Sequence, residues 1–83
     1  MTRAQEAREI YPGVTVDPQI LAGTPVIAGT RVPVATVIGH LAAGDTTQDV
    51  MANYDLSEEQ VRAALGYAAD LVESEAVYAV SGN

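Results

Sequence analysis

The chain has 83 residues, 48 % of them hydrophobic but with no Phe or Trp, so it holds one domain near the lower size limit, with a finely divided core of the kind dimerisation often completes. It has no cysteine, which excludes disulfides and thiolate metal sites; no apolar run nears the roughly 20 residues needed to span a bilayer, and the charged start MTRAQEAREIYPG is no signal peptide, so the cytoplasm is the expected setting. The net charge of −7 is uneven: residues 1–31 balance Arg3, Arg8 and Arg31 against Glu6, Glu9 and Asp17, whereas residues 32–83 set only Arg62 against eight acids.

In chain order, residues 2–10 read as a short helix ended by Tyr11-Pro12-Gly13. Val14-Thr15-Val16 alternates and is β-branched, which predicts a short strand stopped by Asp17-Pro18. Val26-Ile27-Ala28 predicts a second, framed by Gly23 to Pro25 and by Gly29, and the two pair as an irregular hairpin.

Three helices follow. Pro33 suits a first helical turn, where its missing N–H costs nothing. Val34, Val37, Ile38 and Leu41 then recur at i, i+3, i+4 and i+7, and Gly44 stops the helix in the left-handed region. Thr46 caps the next helix with Asp49 three residues on; Val50 and Met51 face inward, and the helix ends near Asn53 or Tyr54. Ser57-Glu58-Glu59-Gln60 is a capping box, with Leu56 and Val61 as its hydrophobic staple and two glutamates at the positive end of the dipole. Val61, Leu65, Ala68, Val72 and Ala76 carry an apolar stripe towards residue 79, weakened at Gly66 by about 1 kcal/mol relative to Ala. Ser81-Gly82-Asn83 reads as a frayed tail.

The expected organisation is one domain over 1–83: an arm (1–13), a β-hairpin (14–32), a helical part (33–79) and a tail (80–83). The fold class is mainly α with a small N-terminal β-hairpin, a three-helix unit of helix-turn-helix, winged-helix or homeodomain-like type.

Nucleotide loops fail on spacing. Gly23 and Gly29 are six apart, the second followed by Thr30-Arg31 with no lysine, and no G-x-G-x-x-G occurs. The single histidine, His40, lies beside an apolar stripe and reads as structural rather than as a general base. No spacing suggests a metal site, a cofactor or an active site, so the expectation is no enzyme. A helix-turn-helix would send the start of the third helix into the major groove. Ser57, Gln60 and Arg62 could read base edges there, but Glu58 and Glu59 would sit against phosphates. Arg31, with Thr30 beside it, is the one basic residue inside structured sequence in the first third. It is read first as a structural ion pair or a hydrogen bond to loop carbonyls, and second as a fork offered to phosphate or to a partner's carboxylates.

The run Asp17-Pro18-x-Ile20-x-x-Gly23-x-Pro25-Val26-Ile27-x-Gly29-Thr30-Arg31-Val32-Pro33-Val34 resembles the signature of domain-of-unknown-function family 433. The resemblance continues through Leu41, Gly44, Tyr54, Leu56-Ser57, Glu59, Val61, Ala64-Leu65, Tyr67 and Ala68, and so covers about residues 10–72. It implies a small antitoxin-like protein with a helix-turn-helix-type fold, often encoded beside a PIN-like ribonuclease. It implies, further, a type II toxin–antitoxin role: binding and silencing that nuclease, and repressing its own promoter as a homodimer bound to operator DNA. A DNA-binding regulator without a toxin and a homo-oligomerising interaction module are the alternatives.

Overall fold

The structure, a computed structural model, describes residues 7–81 and the side chains of residues 7–74. Three short strands open the chain: β1 (Arg8–Tyr11), β2 (Val14–Val16) and β3 (Val26–Ile27). They form one antiparallel sheet in the order β1-β2-β3, with Arg8 opposite Val16, Thr15 opposite Val26 and Val14 opposite Ile27. The predicted pairing of β2 with β3 is present, but the arm is not a helix where it is described. Residues 2–6 of that expectation lie outside the described residues; Arg8 to Tyr11 are a strand, irregular between Glu9 and Tyr11. The local helix preference of Ala7 and Glu9 yields to tertiary pairing, because β1 hydrogen-bonds to β2 through a two-residue turn at Pro12-Gly13. Gly13 has φ +87°, and a Cβ there would lie 2.8 Å from the Cβ of Ala63, so this turn sits directly on the third helix.

The loop from 17 to 25 contains two turns. Asp17 accepts hydrogen bonds from the backbone N–H groups of Gln19 (Oδ1, 2.8 Å) and Ile20 (main-chain O, 2.8 Å), with Pro18 between them. Leu21, Ala22 and Gly23 then all take positive φ, +50°, +56° and +85°, one turn of left-handed backbone. Only the glycine adopts this freely; the other two cost on the order of 1–2 kcal/mol each. The Thr24 N–H and hydroxyl both donate to the carbonyl of Leu21, at 3.1 and 2.8 Å, and hold the turn.

Three helices complete the fold: α1 (Val34–Ala42), α2 (Thr47–Tyr54) and α3 (Glu58–Ser81). Pro33 is the N-cap of α1, and Gly44, at φ +103°, follows its C-cap. In α2 the Thr46 Oγ1 accepts from the Asp49 N–H at 3.0 Å while Asp49 accepts from the Thr46 N–H at 3.1 Å, a reciprocal cap. Asp55 closes α2 in the left-handed region at φ +56°. The same reciprocity opens α3, where Ser57 Oγ accepts from the Gln60 N–H and Gln60 Oε1 from the Ser57 N–H. Leu56 and Val61 are both buried in the core, as a staple requires. Val80 and Ser81, placed in the tail by the sequence, are helical, because α3 runs on to Ser81; Gly82 and Asn83 lie outside the described residues.

The core is Val14, Ile27, Val34, Val37, Val50, Leu56, Val61 and Ala64, with Ile10, Tyr11, Ile38, Leu41, Tyr54 and Tyr67 packed around it. On α3 the stripe needs correcting. Val61 and Ala64 are buried, but Leu65 is 44 % and Val72 63 % exposed. The buried line runs instead through Val61, Ala64 and the half-buried pair Tyr67-Ala68, and every side chain from Ala69 to Ser74 is exposed. At about 100° per residue Ala64 lies about 60° to one side of Val61 and Leu65 about 40° to the other, so the buried face is centred on the Ala64 side of Val61 and leaves Leu65 at its edge. Gly66 has a positive reason to be glycine: a Cβ there would lie 2.5 Å from the Tyr11 hydroxyl and 3.1 Å from its Cζ. Tyr11 crosses α3 at this point and meets Tyr67 edge-on, ring centroids 5.9 Å apart.

Candidate partner-binding surface

The segment from Gly29 to Val34 links the sheet to α1 and is fixed by backbone chemistry. Gly29, at φ +79°, turns the chain out of β3. Thr30 Oγ1 donates to the Ile27 carbonyl at 2.8 Å and accepts from the Val32 N–H at 3.0 Å, and Ile27 N–H donates to the Val32 carbonyl. The Val34 N–H donates to the Pro25 carbonyl, and Val26 bridges to Pro33, so both prolines are built into this joint. Thr30 is therefore a hinge residue with its hydroxyl fully engaged.

Arg31 projects from this fixed loop. It is exposed, and its guanidinium meets no hydrogen-bonding or ionic partner among the described residues. The ion pair or carbonyl contact favoured from sequence is thus not formed among the described residues: the side chain points away from the loop into solvent-exposed space. Asp17, Pro18, Gly23, Pro25, Gly29, Pro33 and Gly44, the other signature positions, all lie in turns, bridges or helix ends of the kind just described.

The start of α3 is occupied differently from what base reading needs. Ser57 and Gln60 spend their side-chain oxygens on each other's N–H groups, and Arg62 Nη2 donates to Glu58 Oε2 at 3.1 Å. Glu58 and Glu59 stand exposed beside them. The three candidate readers are brought to one helix turn, but they are committed to local contacts next to two negative charges.

His40 ties α1 to α2. Its Nδ1 donates to Asp45 Oδ2 at 2.8 Å, since a carboxylate only accepts, and its Nε2 then accepts from the Tyr54 hydroxyl at 2.8 Å. Both ring nitrogens are engaged, one with the turn before α2 and the other with its last residue. Among the described residues no group of three His, Asp or Glu side chains is placed to hold a metal ion, and no helix is long and apolar enough to cross a membrane.

One feature escapes the sequence pattern. Between the first half of α1 and the middle of α3 lies a cleft of about 290 Å³, lined by Pro25, Val34, Ile38, Tyr67, Ala68 and Leu71 among others. Leu71, four residues after Tyr67 and three after Ala68, continues the buried face of α3 past the end of the core. That spacing was the available signal, and assigning Val72 to the stripe hid it.

One family model matches most of the chain. A family model described as "Protein of unknown function (DUF433)" matches residues 14–68. The chain is similar to the uncharacterised protein y4eO of Sinorhizobium fredii, 46 % identical over 63 residues, which cover 75 % of this chain and 27 % of the relative. It is also similar to the uncharacterised protein Rv2308 of Mycobacterium tuberculosis, 30 % identical over 57 residues, covering 69 % and 24 %. Among solved structures, the X-ray crystal structure of Rv2018 from Mycobacterium tuberculosis superposes with a TM-score of 0.57 at 44 % identity, over 63 % of this chain and 24 % of that one. The chain spans about a quarter of the length of these relatives. With a family match over most of its length and the signature residues in its turns and helix ends, the chain belongs to the DUF433 family.

Proposed function

We propose that this chain is a non-catalytic, antitoxin-like binding module of a type II toxin–antitoxin pair, acting in the cytoplasm by binding and neutralising a PIN-like ribonuclease. The observation that carries the reading is Arg31: an exposed guanidinium without a partner among the described residues, on a loop where the Thr30 hydroxyl donates to the Ile27 carbonyl and accepts from the Val32 N–H. An unpaired guanidinium on a held loop is suited to bidentate capture of carboxylates, and PIN-type active sites are acidic. The acidic helical part adds a long-range attraction for a basic RNA-binding surface.

Co-expression with the ribonuclease-like product of a neighbouring gene tests this. A complex that co-purifies and restores growth is expected; no complex and no rescue sinks the proposal. Arg31→Ala is expected to leave the melting temperature unchanged and to weaken the complex by about 10-fold or more, the loss of a charge-assisted hydrogen bond. An unchanged affinity removes Arg31 from the interface.

Self-association is the second reading. Leu65 and Val72, seven residues apart on one face of α3, are both large and exposed. Sedimentation equilibrium giving a monomer at tens of micromolar removes it. Operator binding has less support, because the start of α3 offers Glu58 and Glu59 to the phosphates; a gel shift on the gene's own promoter at low salt decides it.

A further inference from the structure

Helix α3 has 24 residues, a length of about 36 Å, but its own core accompanies it only to Tyr67 and Ala68. Every side chain from Ala69 to Ser74 is exposed, and helices owe most of their stability in water to packing rather than to propensity.

At about 100° per residue, the packing of the chain against itself occupies one side of α3. Val61 and Ala64 face the core, Tyr11 lies over Gly66, and the turn at Gly13 lies over Ala63. The arc left open is centred on Leu65, Ala69 and Val72, which fall within about 60° of one another and are all exposed. Arg62 and Glu73 border this apolar stripe on one and the same flank, about 60° and 80° from Leu65. Glu59 and Asp70, at about 120° and 140°, lie away from it.

That arrangement is complementary to itself. Two antiparallel helices related by a two-fold axis bring equivalent flanks together, because the contact opposes the same patch on both chains. With the axis midway between Leu65 and Val72, Leu65 of one copy opposes Val72 of the other, twice. Arg62 then falls about 3 Å along the helix from the level of Glu73 in the other copy, within reach of its long side chain. Glu73 has no ionic partner among the described residues. Arg62 holds Glu58 through Nη2 in an exposed i,i+4 pair, a weak bond that leaves further guanidinium donors free. Identical charges stay apart, the two Arg62 by about 20 Å and the two Glu73 by about 14 Å along the helices, beyond the Debye length of about 8–10 Å. The same register lays the unaccompanied second half of each α3 along the first half of the other.

We infer that two copies of this chain pair through the Leu65, Ala69 and Val72 stripe of α3, antiparallel about a two-fold axis, closed by two reciprocal ion pairs between Arg62 and Glu73. The inference rests on the self-association reading and does not depend on a ribonuclease partner. A contact made by one helix from each copy belongs to the small interfaces, below about 1,200 Å², and its Kd is expected to be on the order of 10 μM.

Sedimentation equilibrium over about 1–100 μM tests this. Leu65→Asp and Val72→Asp are each expected to weaken the dimer about 10-fold or more, because each places a charge in the centre of the contact twice. Leu71→Asp, about 120° around the helix from Leu65, is expected to change it less than about 2-fold, with circular dichroism checking that every variant is folded. Arg62→Glu and Glu73→Arg each set like charges together and are expected to weaken the dimer by roughly 5-fold or more; the double swap is expected to return it to within about 2-fold of the parent. Glu58→Gln, which removes only the pair within the chain, is expected to leave the Kd within about 2-fold. A monomer at tens of micromolar removes the self-association reading and this interface together. A dimer indifferent to Leu65→Asp and Val72→Asp, or equally sensitive to Leu71→Asp, keeps self-association and overturns the α3 contact. A double swap that fails to restore the dimer overturns the antiparallel pairing of Arg62 with Glu73.

Discussion

Replacing Gly66 by alanine sets two terms of known sign against each other. In a helix interior the change from glycine to alanine is worth about 1 kcal/mol in favour of the folded state. The added Cβ, however, would lie 2.5 Å from Tyr11 Oη, 3.1 Å from Cζ and 3.2 Å from Cε2, so the hydroxyl end of the ring has to shift and the ring carbons have to give with it. Moving it forfeits the edge-on contact with Tyr67, about 0.5–1.5 kcal/mol, and part of the burial of a half-buried aromatic, on the order of 1 kcal/mol. The losses sum to about 2 kcal/mol, and Gly66→Ala is expected to destabilise the fold by about 1 kcal/mol net. For a domain of this size that is a fall in Tm of roughly 4–8 °C. Urea unfolding followed by far-UV circular dichroism reads it directly, and a double-mutant cycle isolates the cause. In a Tyr11→Ala background the clash is gone, and the same glycine-to-alanine change is expected to stabilise by about 1 kcal/mol, a coupling of about 2 kcal/mol. A stabilising effect of equal size in both backgrounds would refute the reasoning, because Gly66 would then be an ordinary helix weakness with no tie to β1.

Two further substitutions probe the joints around the candidate surface. Thr30→Val keeps the side-chain shape but removes the hydroxyl that bonds to Ile27 and Val32; a loss of about 1–2 kcal/mol in urea unfolding is expected, and no change means the loop is held by its backbone alone. Tyr54→Phe removes the donor to His40 Nε2 and is expected to cost about 0.5–1.5 kcal/mol, with the His40 ring resonances moving in the same variant; unmoved resonances would show that α1 and α2 are not tied through this ring.

What the sequence made legible follows the range of the interaction concerned. Helix ends are local: Thr46 with Asp49 and Ser57 with Gln60 sit three residues apart, and each pair closes the reciprocal cap its spacing implies. The bends at Gly23 and Gly29 are equally local, since only a left-handed φ requires glycine there. Leu21 and Ala22 were not legible, because neither residue type favours positive φ and the surrounding turn imposes it. Strand β1 was hidden for a related reason. Arg8 to Tyr11 gains its conformation from β2, and an isolated reading sees only charged residues with moderate helix preference.

The surfaces were the hardest to read, and α3 shows why. Periodicity assigns residues to a face only where a partner exists to define one. Up to Ala64 the core supplies that partner; beyond it the same apolar composition divides between Leu71, which lines the cleft, and Leu65 and Val72, which do not. Gly66 was misread for the same reason: spacing reports what lies along the helix, and Tyr11 lies across it. Arg31 goes the other way. Its loop is fixed by bonds of Thr30 and of the backbone, none of which involves the guanidinium, so the side chain is exposed while its backbone is held. An arginine held in that manner has little to contribute to the stability of its own chain. Under the proposed function it acts on something outside the chain, and an unchanged melting temperature in Arg31→Ala and a weakened complex then belong to the same expectation.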